Sequence, residues 1–276
     1  MIAEAEPTYT LQWYRESAGS VCGVALVLHG LNVDPQRMEP LAQALNSFGI
    51  EALRCSLMGH GANYLPLPGV SAADARLASL RRVTSSLWLD EVRAACAIAA
   101  QRAAQQGVPL YLLGFSLGGL LGCTAMLSAA DVHFDRLVLL APALAIHRRS
   151  RVLTLLARWP QLVIPSATPA AYRANPGTTV AAYNALYAAQ ALCERELDGR
   201  LNVPALLFVD PQDELVSAAG LEQLVASRRL TRWQFHLVHK GAGACTRYHH
   251  LLIDSPSVGP DVWGTMLAGM KSHLAI

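Results

Sequence analysis

The sequence predicts an α/β fold in which a mostly parallel central sheet carries helices on both faces. Apolar strand-like runs alternate with helical patterns along most of the chain, which is typical of such sheets. The run VCGVALVL at 21–28 is apolar on both faces, as a central parallel strand should be. Hydrophobic residues make up 53% of the 276 residues and charged residues 15%, so the chain can bury a large core and wholesale disorder is excluded.

The alternation predicts each element in turn. Up to residue 141 the predicted elements are strands 8–15 and 21–28, helix 35–48, strand 50–55, helices 71–82 and 86–106, strand 109–114, helix 117–130 and strand 135–141. From residue 204 they are strand 204–210, helix 217–227, strand 231–238 and a helix near 258–274. Gly49 and Gly107 are the expected ends of the helices that precede them.

Residues 145–200 interrupt this alternation between two strands of the sheet. The segment contains several prolines and aromatic residues such as Trp159 and Tyr183, and we expect short helices in it rather than sheet. The chain is therefore divided into a core of residues 1–144 and 201–276 and a helical cap insertion of residues 145–200.

The charge distribution argues against nucleic acid and membrane-spanning functions. The 22 basic and 20 acidic residues give a net charge of +2, and no basic run exceeds two residues, so nucleic-acid binding is not supported. The uncharged stretch 110–130 has the hydropathy of a membrane span. Pro109 and the glycines clustered at 114, 118 and 119 instead favour a buried strand, a tight turn and a buried helix, so no integral membrane span is predicted.

Cysteine and histidine patterns give no sign of a metal or cofactor. Six scattered cysteines without a C-x-x-C pair, and an N-terminus without a signal pattern, favour reduced thiols in a cytoplasmic protein. His236 and His239 on a strand would face opposite sides, so they cannot chelate a metal together. Gly241-Ala242-Gly243 lacks the third glycine of a dinucleotide site. We therefore expect no metal and no cofactor.

The strongest chemical signal is the run Gly114-Phe115-Ser116-Leu117-Gly118-Gly119, which follows an apolar strand and opens a helix. A serine on such a tight turn stands above the carboxyl edge of the sheet, where α/β proteins place their ligands. Glycines at 114 and 118 remove side chains that would collide in the turn. The pattern predicts Ser116 as a nucleophile, whereas a buried serine in a glycine-rich helix start is the alternative.

Two backbone amides are candidate oxyanion donors. The N–H of Leu117 lies at a helix N-terminus, where it has no intrahelical partner. The turn Leu28-His29-Gly30-Leu31-Asn32 follows a central strand and can aim a second N–H, that of Leu31, at the same point. An ordinary strand-to-helix loop is the alternative interpretation of this turn.

The acid and the base are predicted from two later loops. After strand 204–210, Asp213 lies on the loop and can reach an imidazole, whereas Asp210 is expected to cap the turn and Glu214 to face solvent. A helix N-cap is the alternative role for Asp213. His249 and His250 follow the last strand, and adjacent side chains of an extended chain point to different sides, so one of them is expected to serve as base.

From about residue 20 onwards the chain resembles an α/β-hydrolase of the carboxylesterase and monoacylglycerol-lipase kind. The resemblance covers His29-Gly30, Met58-Gly59-His60-Gly61, the Ser116 turn, Asp213 with Val216, and a histidine at 249 five residues before Asp254. It implies an α/β-hydrolase fold with Ser116 as nucleophile, Asp213 as acid, His249 as base, and oxyanion donors at Leu31 and Leu117. His250 stays open as the alternative base.

The resemblance implies a serine hydrolase that cleaves carboxylic esters through an acyl-enzyme, with a small apolar ester as substrate. We expect the cap insertion to cover Ser116 and to form an acyl pocket from its apolar side chains. Thioesterase, amidase and C–C hydrolase activities use the same triad and stay open, as does a non-catalytic ligand-binding protein on a hydrolase fold. The oligomeric state is not predicted.

Overall fold

The computed structural model describes residues 11–15 and 20–274, and its centre is a seven-stranded sheet. The strands of this sheet are β1 (Leu11–Tyr14), β2 (Gly23–Leu28), β3 (Ile50–Cys55), β4 (Leu110–Phe115), β5 (Arg136–Leu140), β8 (Ala205–Val209) and β9 (Trp233–Leu237). Their order is β1-β3-β2-β4-β5-β8-β9, and all neighbours are parallel except β1, which pairs antiparallel with β3. The first three residues of the predicted strand 8–15 lie outside the described residues.

Helices cover both faces of the sheet, as the sequence predicts. The α-helices are α1 (Glu39–Ser47), α2 (Ala72–Leu80), α3 (Ser85–Gln106), α4 (Leu117–Ser128), α5 (Val180–Glu196), α6 (Ala218–Ser227), α7 (Ser255–Val258) and α8 (Pro260–Leu274). Short 3₁₀ helices span Pro35–Met38, Arg148–Leu156 and Gly199–Leu201. Side chains of α1 and α8 form one buried core on one face, and those of α3, α4 and α5 form a second core on the other.

The uncharged stretch 110–130 folds as predicted. It forms β4, whose six residues are all buried, then the turn at Ser116 and the buried helix α4. Among the described residues, no helix has both the length and the apolar character needed to cross a membrane. The stretch is apolar because both faces of a central parallel strand and most of α4 lie inside the core.

The insertion between β5 and β8 differs from the sequence expectation in two respects. It contains a small antiparallel sheet of β6 (Val163–Pro165) and β7 (Gly177–Thr179), where only helices were expected. Close pairing is possible because Gly177 has no side chain, since a Cβ there would lie 2.5 Å from the Val163 side chain. Its main helix, α5, is one continuous helix of 17 residues.

Helix α5 is long because it packs on the body of the molecule. Thr179 caps it by accepting a hydrogen bond from the amide of Ala182. Ala185, Ala189 and Cys193, at helical spacing along it, belong to the same core as α3 and α4. The exposed part of the insertion is instead the 3₁₀ segment and the residues up to β6, where Val152, Leu155, Trp159 and Leu162 face outwards.

The carboxyl ends of the parallel strands collect the chemically interesting loops at one edge of the sheet. The turn after β2, the Ser116 turn after β4, the loop after β8 and the long loop after β9 all leave the sheet there. α/β proteins place their ligand sites outside this edge. The fold therefore brings together segments that lie more than 200 residues apart in the sequence.

Candidate active site

Ser116 occupies a strained turn between β4 and α4. Its backbone has φ 49° and ψ −111°, a conformation that side-chain-bearing residues rarely adopt. A Cβ at Gly114 would lie 2.6 Å from the Cα of Gly119, and a Cβ at Gly118 would lie 2.4 Å from the carbonyl oxygen of Leu28. The predicted role of the two glycines is thus explained by close backbone approach on both sides of the serine.

His250, and not His249, faces the serine. The Nε2 atom of His250 lies 2.8 Å from the Oγ atom of Ser116, and its Nδ1 atom lies 2.8 Å from Oδ2 of Asp213. The sequence-based prediction that His249 lies beside Ser116 is therefore wrong by one residue. The His249 side chain points away from Ser116, and its Nδ1 atom lies 2.7 Å from Oδ2 of Asp210.

Asp213 lies where the sequence expects it, and it is held from the other side by the backbone. Its Oδ1 atom accepts hydrogen bonds from the amides of Leu215 at 2.7 Å and Val216 at 2.8 Å, which leaves Oδ2 for the imidazole. Burial raises the pKa of this carboxyl, but the His250 ring and the two amides lower it further than burial raises it. The net pKa lies below the ordinary value, so Asp213 is ionised at neutral pH.

Asp210 does cap the turn, but it also has a second partner. Its Oδ1 atom accepts a hydrogen bond from the amide of Gln212 at 2.8 Å, while its Oδ2 atom binds the ring of His249. The carboxylate is almost fully buried, whereas the His249 side chain is one quarter exposed. Each of the two adjacent histidines therefore has its own aspartate on the loop after β8.

Glu214 was expected to face solvent, but its carboxylate instead contacts the main chain of the two histidines. It is half-buried, and its carboxylate accepts hydrogen bonds from the backbone amides of both His249, at 3.1 Å, and His250, at 3.0 Å. Hydrogen bonds to an ionised acceptor are stronger than neutral ones. Glu214 thus fixes the segment of main chain from which the His250 ring projects towards Ser116.

The turn after β2 passes directly beside Ser116. A Cβ at Gly30 would lie 2.7 Å from the Phe115 ring and 3.3 Å from the Cβ atom of Ser116. The next amide, that of Leu31, and the amide of Leu117 at the start of α4 donate no hydrogen bond to any residue that the structure describes. Both predicted oxyanion donors are therefore near the serine and uncommitted.

A buried polar network supports this turn from behind. The amide of Asn32 donates to Nε2 of His60 at 3.0 Å, and the amide of Leu57 donates to Nε2 of His29 at 3.0 Å. Burial lowers the pKa of His29 to about 4 and that of His60 well below its ordinary value. Both rings are neutral at physiological pH, so each can accept these backbone hydrogen bonds.

Asn175 connects the insertion to the same turn. Its amide donates to Oδ1 of Asn32 at 2.9 Å, and its side-chain Nδ2 donates to the carbonyl of Gly59 at 2.9 Å. In return, Nδ2 of Asn32 donates to the carbonyl oxygen of Asn175 at 3.1 Å. The two bonds with Asn32 join residues 143 positions apart and the bond to Gly59 joins residues 116 positions apart, so no local pattern in the sequence could reveal them.

A cavity of about 300 Å³ lies between the insertion and the body, with Ser116 and His250 in its wall. The insertion contributes apolar and hydroxyl-bearing side chains to the lining, including those of Leu153, Tyr183 and Leu186. None of the described residues that line it is Asp, Glu, Lys or Arg. The space beside the serine is therefore mainly apolar and, apart from the histidine, contains no ionisable side chain other than tyrosine.

No metal centre is built from the residues that the structure describes. Within 11–15 and 20–274, no group of three or more His, Cys, Asp or Glu side chains is arranged to hold a metal ion. All six cysteines are free thiols, and Cys55, Cys96, Cys123 and Cys193 are buried.

Comparisons with known proteins agree on the fold. The family model described as serine aminopeptidase, S33, matches residues 19–255. A metagenome-derived lipolytic enzyme, one of the pair LipS and LipT, has a similar structure at 21% identity and a TM-score of 0.72, with 96% of each chain covered. No curated protein matches the sequence.

Two monoacylglycerol lipases are also similar in structure. A soluble variant of the Saccharomyces cerevisiae enzyme is 15% identical, with a TM-score of 0.76, and 98% of this chain and 94% of that chain are covered. The Paleococcus ferrophilus enzyme is 19% identical, with a TM-score of 0.65, and 96% and 99% are covered. At these identities the likeness shows a shared fold.

Proposed function

Because the chain belongs to the α/β-hydrolase family described as serine aminopeptidase, S33, we propose that it hydrolyses carboxylic esters with Ser116, His250 and Asp213 as its triad. The observation that carries the proposal is the unbroken chain of two 2.8 Å contacts from Ser116 through His250 to Asp213. The resemblance and the α/β-hydrolase fold expected from the sequence are confirmed by the family match and the sheet. The triad itself is the proposal.

The proposed reaction has two halves. As Ser116 Oγ attacks the ester carbonyl, its proton passes to Nε2 of His250, while Asp213 stabilises the imidazolium that forms. The imidazolium then gives that proton to the leaving alkoxide, so the alcohol departs and an acyl-enzyme remains. Water attacks the acyl group, His250 again accepts the proton and returns it to Ser116, and the acid is released.

The Leu31 and Leu117 amides are the proposed oxyanion hole. Their N–H groups lie beside Ser116 without partners among the described residues, which leaves them available to a tetrahedral intermediate. By analogy with measured donors of this kind, each contributes about 2.7–4 kcal/mol to the stability of the transition state. The buried network of His29, His60 and Asn175 keeps the Leu31 turn in place before the substrate arrives.

The uncharged cavity favours a neutral ester over a peptide with a free amino terminus as the substrate. Recognition of a peptide's free ammonium group needs a carboxylate or several acceptors in the pocket, because burying an unpaired charge is costly. The lining contains no carboxylate, and the Asp213 oxygens are occupied by His250 and the loop amides. The proposed substrate is thus a small neutral apolar ester. The lipase and esterase functions of the structural neighbours agree with it.

The insertion of residues 145–200 is proposed as a cap over the core of residues 1–144 and 201–276. Its side chains and those of the body line the same cavity, which supports a binding role. Each buried methylene of an acyl chain contributes about 0.8 kcal/mol. We therefore propose a preference for short-to-medium apolar acyl groups over acetate.

The free thiols agree with the proposed cytoplasmic location.

The experiment is a kcat/KM series on p-nitrophenyl esters from two to sixteen carbons, with aminoacyl p-nitroanilides and acyl thioesters of matched acyl chain as contrasts. We expect a rise from acetate to a medium-chain maximum, and little or no anilide cleavage. A flat ester profile would remove the acyl-pocket proposal. Faster cleavage of the anilides would favour the amidase alternative, and a preference for the thioester would favour a thioesterase. A complete lack of turnover would favour a ligand-binding protein.

A further inference from the structure

A second cavity, of about 570 Å³, lies on the other side of the turn after β2. It is bounded by β1, by the 3₁₀ helix Pro35–Met38, by the loop around Gly61 and by the start of α2. None of its lining residues lines the cavity at Ser116. The second cavity is therefore a separate feature that the proposed ester hydrolysis does not use.

A buried arginine forms part of its wall. Arg54 on β3 is only 6% exposed, and its two terminal nitrogens donate to neutral partners, namely the Tyr14 hydroxyl at 2.8 Å and Oε1 of Gln12 at 2.6 Å. Its Nε atom has no hydrogen-bond acceptor among the residues that the structure describes. Within the described part of the chain no carboxylate lies within 4 Å of the guanidinium. The Tyr14 ring, with its centroid 5.6 Å away, offers only a weak cation–π contact.

The same strand shows how this protein otherwise treats a buried charge. Glu51, three residues earlier on β3, is also buried, and its two carboxylate oxygens accept hydrogen bonds from Arg102 at 2.6 and 2.7 Å. Arg15 is a second cationic neighbour, with its Nε atom 3.9 Å from that carboxylate. An unpaired buried ion costs several kcal/mol. Arg54, which has no carboxylate partner among the described residues, therefore differs from Glu51.

The remaining lining favours a negatively charged guest. Arg76 adds a second guanidinium, held by Nε to the side chain of Asn175 at 3.2 Å, and Ser56 and Tyr64 add hydroxyl groups. Asp34 is the single acidic residue among the described residues of the lining, and its Oδ1 atom already accepts from the amide of Gln36. Two cations against one engaged carboxylate leave the cavity net positive.

We propose that this cavity is an anion-binding site in which Arg54 and Arg76 hold carboxylate or phosphate oxygens. Guanidinium groups suit such oxygens because their N–H donors match them in pairs. Two sources offer this chemistry. One is a small free anion, and the other is the chain itself, because Glu4 and Glu6 precede Leu11, which lines the cavity. Five residues span at most about 18 Å, which makes Glu6 a candidate by reach.

The test is the thermal unfolding midpoint of the full chain, measured in inorganic phosphate or acetate against chloride at constant ionic strength. The variants are Arg54→Gln, the half-buried Arg76→Gln, the double variant Glu4→Gln with Glu6→Gln, and the exposed Arg195→Gln as control. If a free anion binds, phosphate at about ten times its Kd raises the midpoint of the wild type by about 2 °C. This rise is lost in Arg76→Gln and kept in Arg195→Gln.

The second source gives a different pattern. If the chain supplies the carboxylate, the double glutamate variant unfolds at a lower temperature than the wild type, and phosphate then raises its midpoint more than that of the wild type. The site is refuted if phosphate and acetate leave the midpoints of both the wild type and the double variant where chloride leaves them. It is equally refuted if Arg76→Gln keeps the full anion response. The anion response of Arg76→Gln can be measured even if Arg54→Gln fails to fold, so each result either supports or refutes the site.

Discussion

The two adjacent histidines allow a prediction with a built-in control. His250→Gln replaces the ring that contacts both Ser116 and Asp213, whereas His249→Gln replaces the ring that contacts Asp210. The two positions share the same loop and the same Glu214 carboxylate, which binds their backbone amides and not their side chains. The pair of variants therefore separates the chemistry of the ring from the integrity of the loop.

The magnitudes follow from these contacts. Glutamine at 250 cannot shuttle a proton, and loss of a triad base costs about 10³-fold or more in kcat, which is about 4 kcal/mol or more in the barrier. Glutamine at 249 can still donate an N–H to Asp210 in place of Nδ1–H. The hydrogen bond lost or weakened there is worth about 1.5–3 kcal/mol at most, and it acts on stability and not on the reacting atoms. We expect kcat of His249→Gln to stay within about tenfold of wild type.

The assay is steady-state hydrolysis of the best p-nitrophenyl ester, with the unfolding midpoint of each variant measured alongside. The expected result is a collapse of kcat in His250→Gln and most of kcat retained in His249→Gln. Both variants should fold with midpoints at or somewhat below that of wild type, because each weakens one imidazole–carboxylate hydrogen bond. The reverse order of activities would show that the loop adopts the other register in solution. Equal and large losses of kcat in both folded variants would refute the separate roles.

Three further predictions test the surroundings of the site. Asp213→Asn should lower kcat by about 10³–10⁴-fold while Asp210→Asn stays within about tenfold, as steady-state rates will show, and equal losses would undo the assignment of the acid. Glu214→Gln leaves one oxygen for two amides, so kcat should fall about tenfold at unchanged KM and unchanged circular dichroism, whereas a KM effect alone would contradict a positioning role. Glu91 is a buried residue of α3 whose carboxyl accepts hydrogen bonds from the amide of Met58 at 2.9 Å and from the side chain of Asn63 at 3.0 Å. Burial raises the pKa of Glu91 to about 7 from 4.5, so the folded protein keeps a proton that the unfolded chain loses between those values. Wild type should therefore lose stability relative to Glu91→Gln between pH 4.5 and 7, and unfolding midpoints that run parallel from pH 5 to 8 would contradict this.

The sequence predicted the sheet and the Ser116 turn well because both depend on local rules. β2 and β4 are apolar on both faces because helices cover both sides of the sheet. The amino-acid composition of each strand therefore indicates its burial directly. Gly114 and Gly118 are required by contacts within the turn itself or with the neighbouring strand. Residue type alone was therefore sufficient at these positions.

The register of the histidines could not be predicted in the same way. The rule that adjacent side chains point to different sides was correct, since the two rings bind Asp210 and Asp213, respectively. It does not say on which side Ser116 lies. That depends on where the loop after β9 is anchored, and the Glu214 carboxylate that anchors it contacts backbone amides, which any residue type provides.

The insertion was the least predictable part for a related reason. β6 and β7 have three residues each, too few for an alternating pattern to be recognised. Asn175 holds the turn at Asn32 across 143 positions, and such long-range polar pairing gives no periodicity. Helices were expected in this segment, but the length of α5 depends on its packing against the core.

The central claim is that Ser116 forms the covalent intermediate, and intact-mass spectrometry after treatment with a fluorophosphonate tests it most directly. The reagent adds to a serine whose proton a neighbouring base removes, and the 2.8 Å contact with His250 provides that activation. Wild type should gain the mass of one adduct, and Ser116→Ala, which should keep the fold, should gain none. An adduct that persists on Ser116→Ala, or a wild type that stays unlabelled while it hydrolyses esters, would contradict the account.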